Sequence, residues 1–286
     1  MLNITVWDVQ HGSATYIKTP NGTHIVQDLG MGSHGERDEL FSPLLHLKNK
    51  YKVLQLDYVL ITHPHKDHIL DIMNFDKLTP RVLCRPKHLS KDEIMKDVKD
   101  EDKKLFEKYF EISNKYSEPV SEESNPELPK NNGGVVFKRF HPTSCSTSNI
   151  NNHSIVNVIN YANSKIVLTG DNEPPSWKEL MDINDFQTSV KNADILLAPH
   201  HGRDSGYYSE IMSLINPKLT IISDNKEVDT SATDRYSKLS RGYYVYNRET
   251  KEAEKRYCIT TRSDGVINIT SWYDKDNKPL LLVQIK

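Results

Sequence analysis

Short runs of apolar and β-branched residues recur along this chain, and their lengths are typical of β-strands. Near the N-terminus two such runs flank Pro20-Asn21-Gly22, which favours a tight hairpin because Asn-Gly tolerates the positive φ angles of the turn. The runs that predict further strands are 57–62, 81–86, 135–140, 154–171, 193–201, 218–224, 243–247, 256–270 and 279–285.

Helices are predicted between some of these strands, where apolar residues recur at helical spacing. The predicted helices cover residues 37–50, 66–75, 176–182, 207–215 and 233–241. Hairpins at some connections and helical crossovers at others favour a mixed α/β (α+β) fold. We expect an αββα sandwich, in which two mainly antiparallel sheets pack together and helices lie outside.

One segment departs from this alternation of strands and helices. Residues 88–117 are dense in charge, with apolar residues at roughly helical spacing, and they predict one or two exposed helices. The residues that follow are turn-rich and acidic. We interpret 88–132 as a charged helical insertion within a single domain, 1–286. It could be a lid or a solvated addition, and both interpretations stay open.

Composition and charge narrow the function classes. The chain has 286 residues, with 37 basic against 39 acidic side chains and a formal charge of -2. No global basic field attracts nucleic acid, so a polyanionic substrate would need metal ions or a local basic patch. We expect a cytoplasmic protein without membrane association, because no leader is evident and no apolar run approaches the ~18 residues of a membrane span. Three cysteines, widely spaced, do not predict disulfides.

The densest chemistry lies in "THPHKDH", directly after a predicted strand. His63, His65, Asp67 and His68 leave the strand end and enter a predicted helix, so their side chains can converge. Neutral imidazoles together with a carboxylate are typical ligands of a borderline-soft divalent metal. A lone histidine at a strand end is usually structural, but four such groups within six positions predict a metal site.

Two further strand ends carry metal-type ligands. Asp171 follows the apolar run of "KIVLTGD", although a single aspartate there is also common as a turn former or a helix cap. We expect Gly170 to permit a tight turn that brings this carboxylate over the sheet edge. The stretch "DILLAPHHGRDSG" delivers the adjacent His200 and His201. Because neighbouring side chains of an extended chain point in opposite directions, we expect one of the two to be a ligand.

Together the three strand ends predict a dinuclear metal site with a shared carboxylate. The predicted ligands are His63 and His65 for one ion, Asp67, His68 and one of His200 and His201 for the other, and Asp171 between them. Two ions about 3.5–4 Å apart can share a water molecule whose pKa falls towards about 7. We expect Asp67 and His201 to act in catalysis as well, with Asp67 or a histidine managing the proton.

Four segments carry a resemblance to a known family: "HPHKDH", "NNHSIVNVINYANSKIVLTGD", "APHHGRDS" and "SDGVINI". In order and spacing they resemble the metallo-β-lactamase superfamily, most closely the hydrolase domain of ComEC-type competence proteins and more distantly phosphorylcholine esterases. The resemblance runs along nearly the whole chain. It implies an αββα fold with two metal ions, usually Zn²⁺ or Mn²⁺, and phosphodiester hydrolysis as the commonest activity of this branch.

The resemblance also assigns residues near the N-terminus. Asp28 in "HIVQDLG" matches a buried aspartate of the family that orients a metal-binding imidazole. The segment "WDVQHGSATYIKTPNG" is similar to a glycine-rich loop of the family that borders the site. Here Gln10, His11 and Ser13 depart from the family pattern, and His11 could be a substrate contact or a turn residue.

The third family motif departs further from the pattern. Many members supply another histidine ligand to the first metal, and the matching region here reads "CSTSNINNHSIV". Asn152 and His153 are both candidates, and we favour an asparagine-lined site. An amide oxygen is a poorer zinc ligand than an imidazole, so that site could be weak or tolerant of manganese. His141 is a further candidate, with a structural role as its ordinary interpretation.

Three functions remain open at this point. The first is a metal-dependent phosphodiesterase, in particular a nuclease, in which Arg203 and Ser205 contact phosphate. The second keeps the metals but acts on a small phosphodiester or on an acyl compound such as a lactone or thioester, which the near-neutral charge favours somewhat. The third is a non-catalytic binding module with a degenerate site that docks a partner through residues 88–117.

Overall fold

A computed structural model describes residues 1–33, 40–225 and 231–286. The strands in these ranges are β1 (Leu2–Val6), β2 (Thr15–Lys18), β3 (His24–Gln27), β4 (Gly32–Ser33), β5 (Leu40–Phe41), β6 (Leu56–Leu60), β7 (Pro80–Cys84), β8 (Val136–Phe140), β9 (Val156–Tyr161), β10 (Ser164–Leu168), β11 (Ile195–Leu197), β12 (Leu219–Ile222), β13 (Tyr243–Asn247), β14 (Ala253–Arg256), β15 (Cys258–Thr260), β16 (Ile267–Tyr273) and β17 (Pro279–Ile285). The α-helices there are α1 (Pro43–Asn49), α2 (Lys66–Ile69), α3 (Lys91–Met95), α4 (Lys103–Lys115), α5 (Pro174–Met181), α6 (Asn184–Val190), α7 (Ser209–Ile215), α8 (Thr233–Leu239) and α9 (Thr261–Asp264).

Most strands belong to two large sheets. The first has nine strands in the order β14-β13-β17-β16-β1-β2-β3-β6-β7, and the second has six in the order β15-β12-β11-β10-β9-β8. The short strands β4 and β5 pair with each other. The predicted class, a mixed α/β fold of two sheets with helices, is confirmed.

Alternation along the strands divides the apolar residues into layers. In β10, Ile166 and Leu168 face the core between the two sheets, whereas Val167 packs under α5 to α8. In β6, Leu60 joins the same central core and Val59 packs in the layer that contains α1 and α4. Helices therefore cover both outer faces at the strands that carry the candidate ligands.

Strand pairing is more parallel than the sequence predicted. The first sheet is antiparallel from β17 through β16, β1 and β2 to β3. In the second sheet, however, β10 to β11, β11 to β12 and β12 to β15 are parallel pairs. Parallel neighbours need a crossover connection, and α5 to α8 provide it. The expectation of two mainly antiparallel sheets is thus corrected for the second sheet.

Several helix boundaries differ from the prediction. The predicted helix 37–50 begins only at Pro43, because the side chain of Ser42 accepts a hydrogen bond from the Leu45 N–H and caps the helix there. Residues 37–39 lie outside the described residues. The predicted strand 256–270 is interrupted by α9, where the Thr260 hydroxyl accepts a hydrogen bond from the Ser263 N–H. Helix α6 was not predicted.

The insertion is helical, as the sequence indicated. Helix α4 turns Leu105, Phe106, Tyr109 and Ile112 inward against the first sheet. Helix α3 begins with a reciprocal cap between Ser90 and Glu93. No helix in the described ranges is long and apolar enough to cross a bilayer.

Candidate metal centre

The candidate ligands follow strands that run side by side in the same direction. Strand β3 is parallel to β6 in the first sheet, and β10 is parallel to β11 in the second. Asp28 directly follows β3, "THPHKDH" follows β6, Asp171 follows β10 and His200-His201 follow β11. The carboxyl ends of these four strands meet at one edge of the sandwich, so residues far apart in sequence become neighbours.

One group of ligand atoms contains Asp67, His68, Asp171 and His201, all within 4.8 Å of one another. Nε2 of His68 lies 3.1 Å from Oδ1 of Asp171, and Nε2 of His201 lies 3.1 Å from Oδ2 of Asp67. Nε2 of His201 is also 3.7 Å from Oδ1 of Asp171. This group offers two imidazole nitrogens and two carboxylates.

A second group contains His63, His65 and Asp171, again within 4.8 Å of one another. Nε2 of His63 lies 3.0 Å from Nδ1 of His65 and 3.9 Å from Oδ2 of Asp171. Asp171 therefore belongs to both groups, with Oδ1 towards His68 and Oδ2 towards His63. The two groups share one carboxylate, as the sequence predicted for a bridging residue.

The backbone at His200 and His201 is left-handed, with φ angles of 49° and 52°. The expectation that the two side chains point in opposite directions assumed an extended chain, and the backbone here is not extended. His201 joins the group around His68, while Nε2 of His200 lies 3.8 Å from Oδ2 of Asp171, on the side of His63. Nδ1 of His200 lies 2.9 Å from the Ser205 hydroxyl and 3.1 Å from a Glu173 oxygen.

Two hydrogen bonds fix which ring nitrogen faces the centre. Nδ1 of His68 donates to Asp28 at 2.9 Å, and Nδ1 of His201 donates to the Ser223 carbonyl at 3.1 Å, because a carboxylate or carbonyl oxygen can only accept. In both rings Nε2 is then the nitrogen that faces the centre and that would bind a metal. Asp28 also accepts hydrogen bonds from the backbone and hydroxyl of Thr62.

The residues present fit divalent cations. Nε2 of His68 is buried and faces the Asp171 carboxylate at 3.1 Å, with Nε2 of His201 and the Asp67 carboxylate in the same group. The separations of 3.0–3.1 Å between neighbouring donor atoms resemble the edge of about 3.4 Å that a tetrahedron with bonds of about 2.1 Å has. Imidazole nitrogen with carboxylate oxygen is a donor set that suits Zn²⁺ and also Mn²⁺.

Electrostatics divides the histidines into two kinds. Burial holds the pKa of His63 well below its ordinary value and also lowers the pKa of His65, so both rings are neutral and ready to act as ligands. Burial acts in the same direction on His68, but the carboxylates of Asp171 and Asp28 outweigh it and raise its pKa. The same attraction outweighs burial at Asp171 and holds the pKa of its carboxyl well below the usual range. The buried carboxylates thus require positive charge beside them.

The two candidates from the third motif lie elsewhere. The side-chain oxygen of Asn152 accepts a 3.4 Å hydrogen bond from the Ser176 N–H in α5. Nδ1 of His153 lies 2.8 Å from Nε2 of His88 in the insertion, and His88 in turn stacks on His141. Neither residue is brought into the two ligand groups of the described chain, because local contacts at α5 and at the insertion hold both side chains.

The predicted substrate contacts lie at the rim. His11 is half exposed, with Nε2 at 3.5 Å from Oδ2 of Asp67, and burial lowers its pKa. Burial lowers the pKa of His200 as well, and the positive charge of Arg203 further lowers the pKa of both His11 and His200. Ser205 contacts His200, so its hydroxyl orients that ring.

Two supporting residues, Glu173 and Ser154, were missed in the sequence. Glu173 accepts hydrogen bonds from the side chains of Asn149 and Asn151, besides its contact with His200. Ser154 accepts a 3.0 Å hydrogen bond from the Asp171 N–H. A Cβ on Gly170 would lie 2.6 Å from Oγ1 of Thr62, so this glycine, which was predicted from the sequence, also serves close packing. Glu173 could have been found from its position in "GDNE", only two residues after Asp171.

A groove opens beside the ligand groups. It has a volume of about 430 Å³ and runs from His65 and Asp67 to Ile94, Val98 and Ile150. The insertion forms one wall of this groove, which we call the metal groove. An ion pair of 2.7 Å between Lys66 and Asp102 ties the insertion to the segment that carries the ligands.

Comparison with known proteins identifies the family. The sequence profile of the metallo-β-lactamase superfamily matches residues 7–223, more than half of the chain. The chain therefore belongs to the metallo-β-lactamase superfamily, and the site described above is the candidate metal centre of this hydrolase family.

One curated relative is the uncharacterized protein YcaI of Escherichia coli (strain K12), which is 23% identical over 227 residues. That match covers 77% of this chain and 24% of YcaI, so the chain spans about a quarter of the length of this relative. The finer resemblance to ComEC-type hydrolase domains stays a prediction.

Solved structures with a similar backbone include the metallo-β-lactamase fold protein YhfI from Bacillus subtilis, at 14% identity and a TM-score of 0.43, covering 79% of this chain and 87% of YhfI. A diphosphatase from the PhnP family matches at 13% identity and a TM-score of 0.42, covering 82% of this chain and 92% of the diphosphatase. The family assignment rests on the sequence profile.

Proposed function

We propose that this chain is a metal-dependent phosphodiesterase, and specifically a nuclease, that works with two divalent cations, Zn²⁺ or Mn²⁺. The observation that carries the proposal is the position of Asp171, whose two carboxylate oxygens face two different groups of ligand atoms. His68 and His201 would hold one cation together with Asp67, and His63 and His65 the other. A carboxylate shared between two groups of ligand atoms can hold two adjacent cations.

When bound, the cations supply an activated water at neutral pH and offset the negative charge that develops on a phosphate. The chain's own residues orient the other participants. The Asp67 carboxylate, kept ionised by His68 and His201 against the effect of burial, accepts a hydrogen bond from the attacking water. His11, with Nε2 3.5 Å from Asp67, is the rim group that can donate a hydrogen bond to the leaving oxygen.

Charge at the rim favours a phosphodiester over a neutral acyl substrate. Among the described residues, no ion pair involves Arg203, and its Nε is buried without a hydrogen-bond partner. An unpaired guanidinium beside the site suits an anionic phosphate oxygen. A lactone or thioester carbonyl carries no charge that would need this residue.

The test is hydrolysis by the metal-loaded protein. Labelled single- and double-stranded DNA and RNA, bis(p-nitrophenyl) phosphate, and a lactone and a thioester are incubated in parallel with Zn²⁺ or Mn²⁺. We expect phosphodiester cleavage, and a higher KM for it in Arg203→Met. Arg235→Met is the matched control, because Arg235 pairs with Asp204 on the exposed surface. Turnover of the esters alone, or none with metal bound, would contradict the proposal.

A further inference from the structure

A second groove shares Ile94 of helix α3 with the metal groove. Its volume is about 450 Å³, and no carboxylate is among the described residues that line it. The polar lining includes three cations, Arg85, Lys87 and Lys91, and the neutral side chains of Tyr109, Ser113, Asn114 and Ser117. We call it the basic groove. Three cations without a carboxylate in one groove are unusual in a chain whose formal charge is -2.

The three cations of the basic groove have no carboxylate partner. Within the described ranges, no ion pair involves Arg85, Lys87 or Lys91, whereas Lys103 and Lys108 of the same insertion are paired at 2.7 Å and 2.6 Å. Their charge is therefore not cancelled locally. A mainly positive groove attracts anions and repels cations.

Arg85 gives the groove a positive charge that is held in a fixed position. Its side chain is 8% exposed, and its N–H groups donate to the Ser113 hydroxyl and to the carbonyls of Leu83, Ser113 and Tyr116. These acceptors are all neutral, so they fix the guanidinium in place but leave its positive charge. A buried charge without an opposite charge is costly, and an anion bound in the groove would offset that cost.

The groove also offers an aromatic surface. The Lys91 ammonium lies 5.5 Å from the centre of the Phe110 ring, which is half-buried at the groove. Cations that follow a phosphate backbone, together with an aromatic ring for a base, are the features by which proteins bind single-stranded nucleic acid. A lone phosphate would use the cations but not the ring.

The basic groove continues the path that begins at the candidate metal centre. Ile94 of α3 lines both the basic groove and the metal groove. Lys87 also lines a further groove with Arg81, Lys115 and Glu118, in which Arg81 and Lys115 are paired with Asp57 and Glu111. The metal groove is lined by Glu93, Asp97 and Asp102 as well as by Lys66 and Lys99, so the excess of cations begins beyond Ile94, along the face formed by the insertion.

We propose that the basic groove binds the sugar-phosphate backbone of a single-stranded nucleic acid whose scissile phosphate lies at the metal centre. This inference rests on the proposed function and names its substrate class. DNA and RNA share the backbone chemistry that the groove recognises. A small phosphodiester would be held in the metal groove and would not extend past Ile94.

Binding is tested without turnover, in EDTA, by fluorescence anisotropy of labelled oligo(dT) and oligo(rU). Strands of about 20 nucleotides exceed the sites of roughly 4–16 nucleotides that are typical of such grooves. We expect Lys87→Ala with Lys91→Ala to bind at least about tenfold more weakly at low salt, and the slope of log K against log salt to become shallower by about 1.4, or about 0.7 per lost phosphate contact. The two labelled strands distinguish DNA from RNA as the preferred source.

The matched control is Lys103→Ala with Lys104→Ala, which removes the same charge from exposed positions of α4 outside the groove. We expect this control to keep the wild-type salt slope, and thermal melting checks that both variants fold. An unchanged slope in the groove variant, an equal loss in the control, or tighter binding of duplex than of single strands would overturn the inference. Groove-dependent binding without cleavage would instead contradict only the proposed function.

Discussion

Nδ1 of His68 donates a 2.9 Å hydrogen bond to Oδ2 of Asp28, and both side chains are almost completely buried. Asp28 has a φ of 58°, a left-handed conformation that aspartate and asparagine tolerate better than most residues. The pair joins the end of β3 to the helix after β6 and holds the imidazole with Nε2 towards Asp171. The orientation of a candidate ligand is therefore set by a residue that is not itself a ligand.

Asp28→Asn tests this relationship with little change of shape. The amide can accept from the Thr62 N–H only by turning its NH₂ towards Nδ1 of His68, which moves the ring proton to Nε2. We expect metal affinity to fall by about 10–100-fold, as measured by competition with a chromophoric chelator. Asp57→Asn is the control, because Asp57 accepts the His24 N–H at the same sheet away from the site. Equal affinities in all three proteins would contradict the assigned role.

Gly170→Ala tests the close packing behind Asp171. The added Cβ would lie 2.6 Å from Oγ1 of Thr62 and 2.9 Å from Cβ of Ser154, and these two residues hold Asp28 and the Asp171 N–H. We expect a loss of about 1–3 kcal/mol in unfolding free energy by urea denaturation, together with weaker metal binding.

The comparison variant for that substitution is Gly22→Ala in the N-terminal hairpin. Its Cβ would meet open space, so only the backbone cost of a φ of 90° remains. We expect it to lose stability but to bind metal as the wild type does. Similar metal affinities in the two variants would show that crowding at Gly170 is irrelevant to the centre.

Metal addition is expected to stabilise the fold. A ligand that binds only the native state contributes about 2.7 kcal/mol at a hundredfold excess over its Kd. For a domain of this size that corresponds to a rise in Tm of about 5–10 °C, measurable by differential scanning fluorimetry of EDTA-treated protein with Zn²⁺ or Mn²⁺. Asp171→Ala is expected to lose most of this shift, and an undiminished shift would argue against the shared carboxylate.

Asp71 is expected to contribute to the stability of the fold and not to metal binding. Its buried carboxylate accepts hydrogen bonds from the Ser42 hydroxyl, the Leu44 N–H and the Asn74 side chain. Asp71→Ala leaves a buried N–H without its partner and should cost about 2–4 kcal/mol in a urea titration. Asp76→Ala removes only an exposed ion pair with Lys108 and should cost less than about 1 kcal/mol. A reversed order would contradict this account.

Much of the candidate site could be predicted because its ligands follow apolar strands directly. The run before His63 and the run before Asp171 fix where β6 and β10 end, and the metal motif is dense enough to be noticed in sequence. The choice between His200 and His201 could not be predicted, because it depends on a left-handed backbone that no residue type there requires.

The features that were not predicted from the sequence depend on contacts between distant segments of the chain. His153 meets His88 across 65 positions of the chain, and nothing near either residue indicates that pairing. The parallel pairing of β10 to β12 is likewise a property of the crossovers rather than of the strands. The groove lining around Lys87 and Lys91, which holds no carboxylate among the described residues, forms only once α3 and α4 pack together.

Metal content per chain tests the central claim most directly. After loading with Zn²⁺ or Mn²⁺ and removal of excess ion, elemental analysis should give about two ions for the wild type, as a pair of sites sharing one carboxylate requires. His63→Ala with His65→Ala should retain about one ion. A wild type that holds none, or a double variant that holds as many as the wild type, would contradict the account.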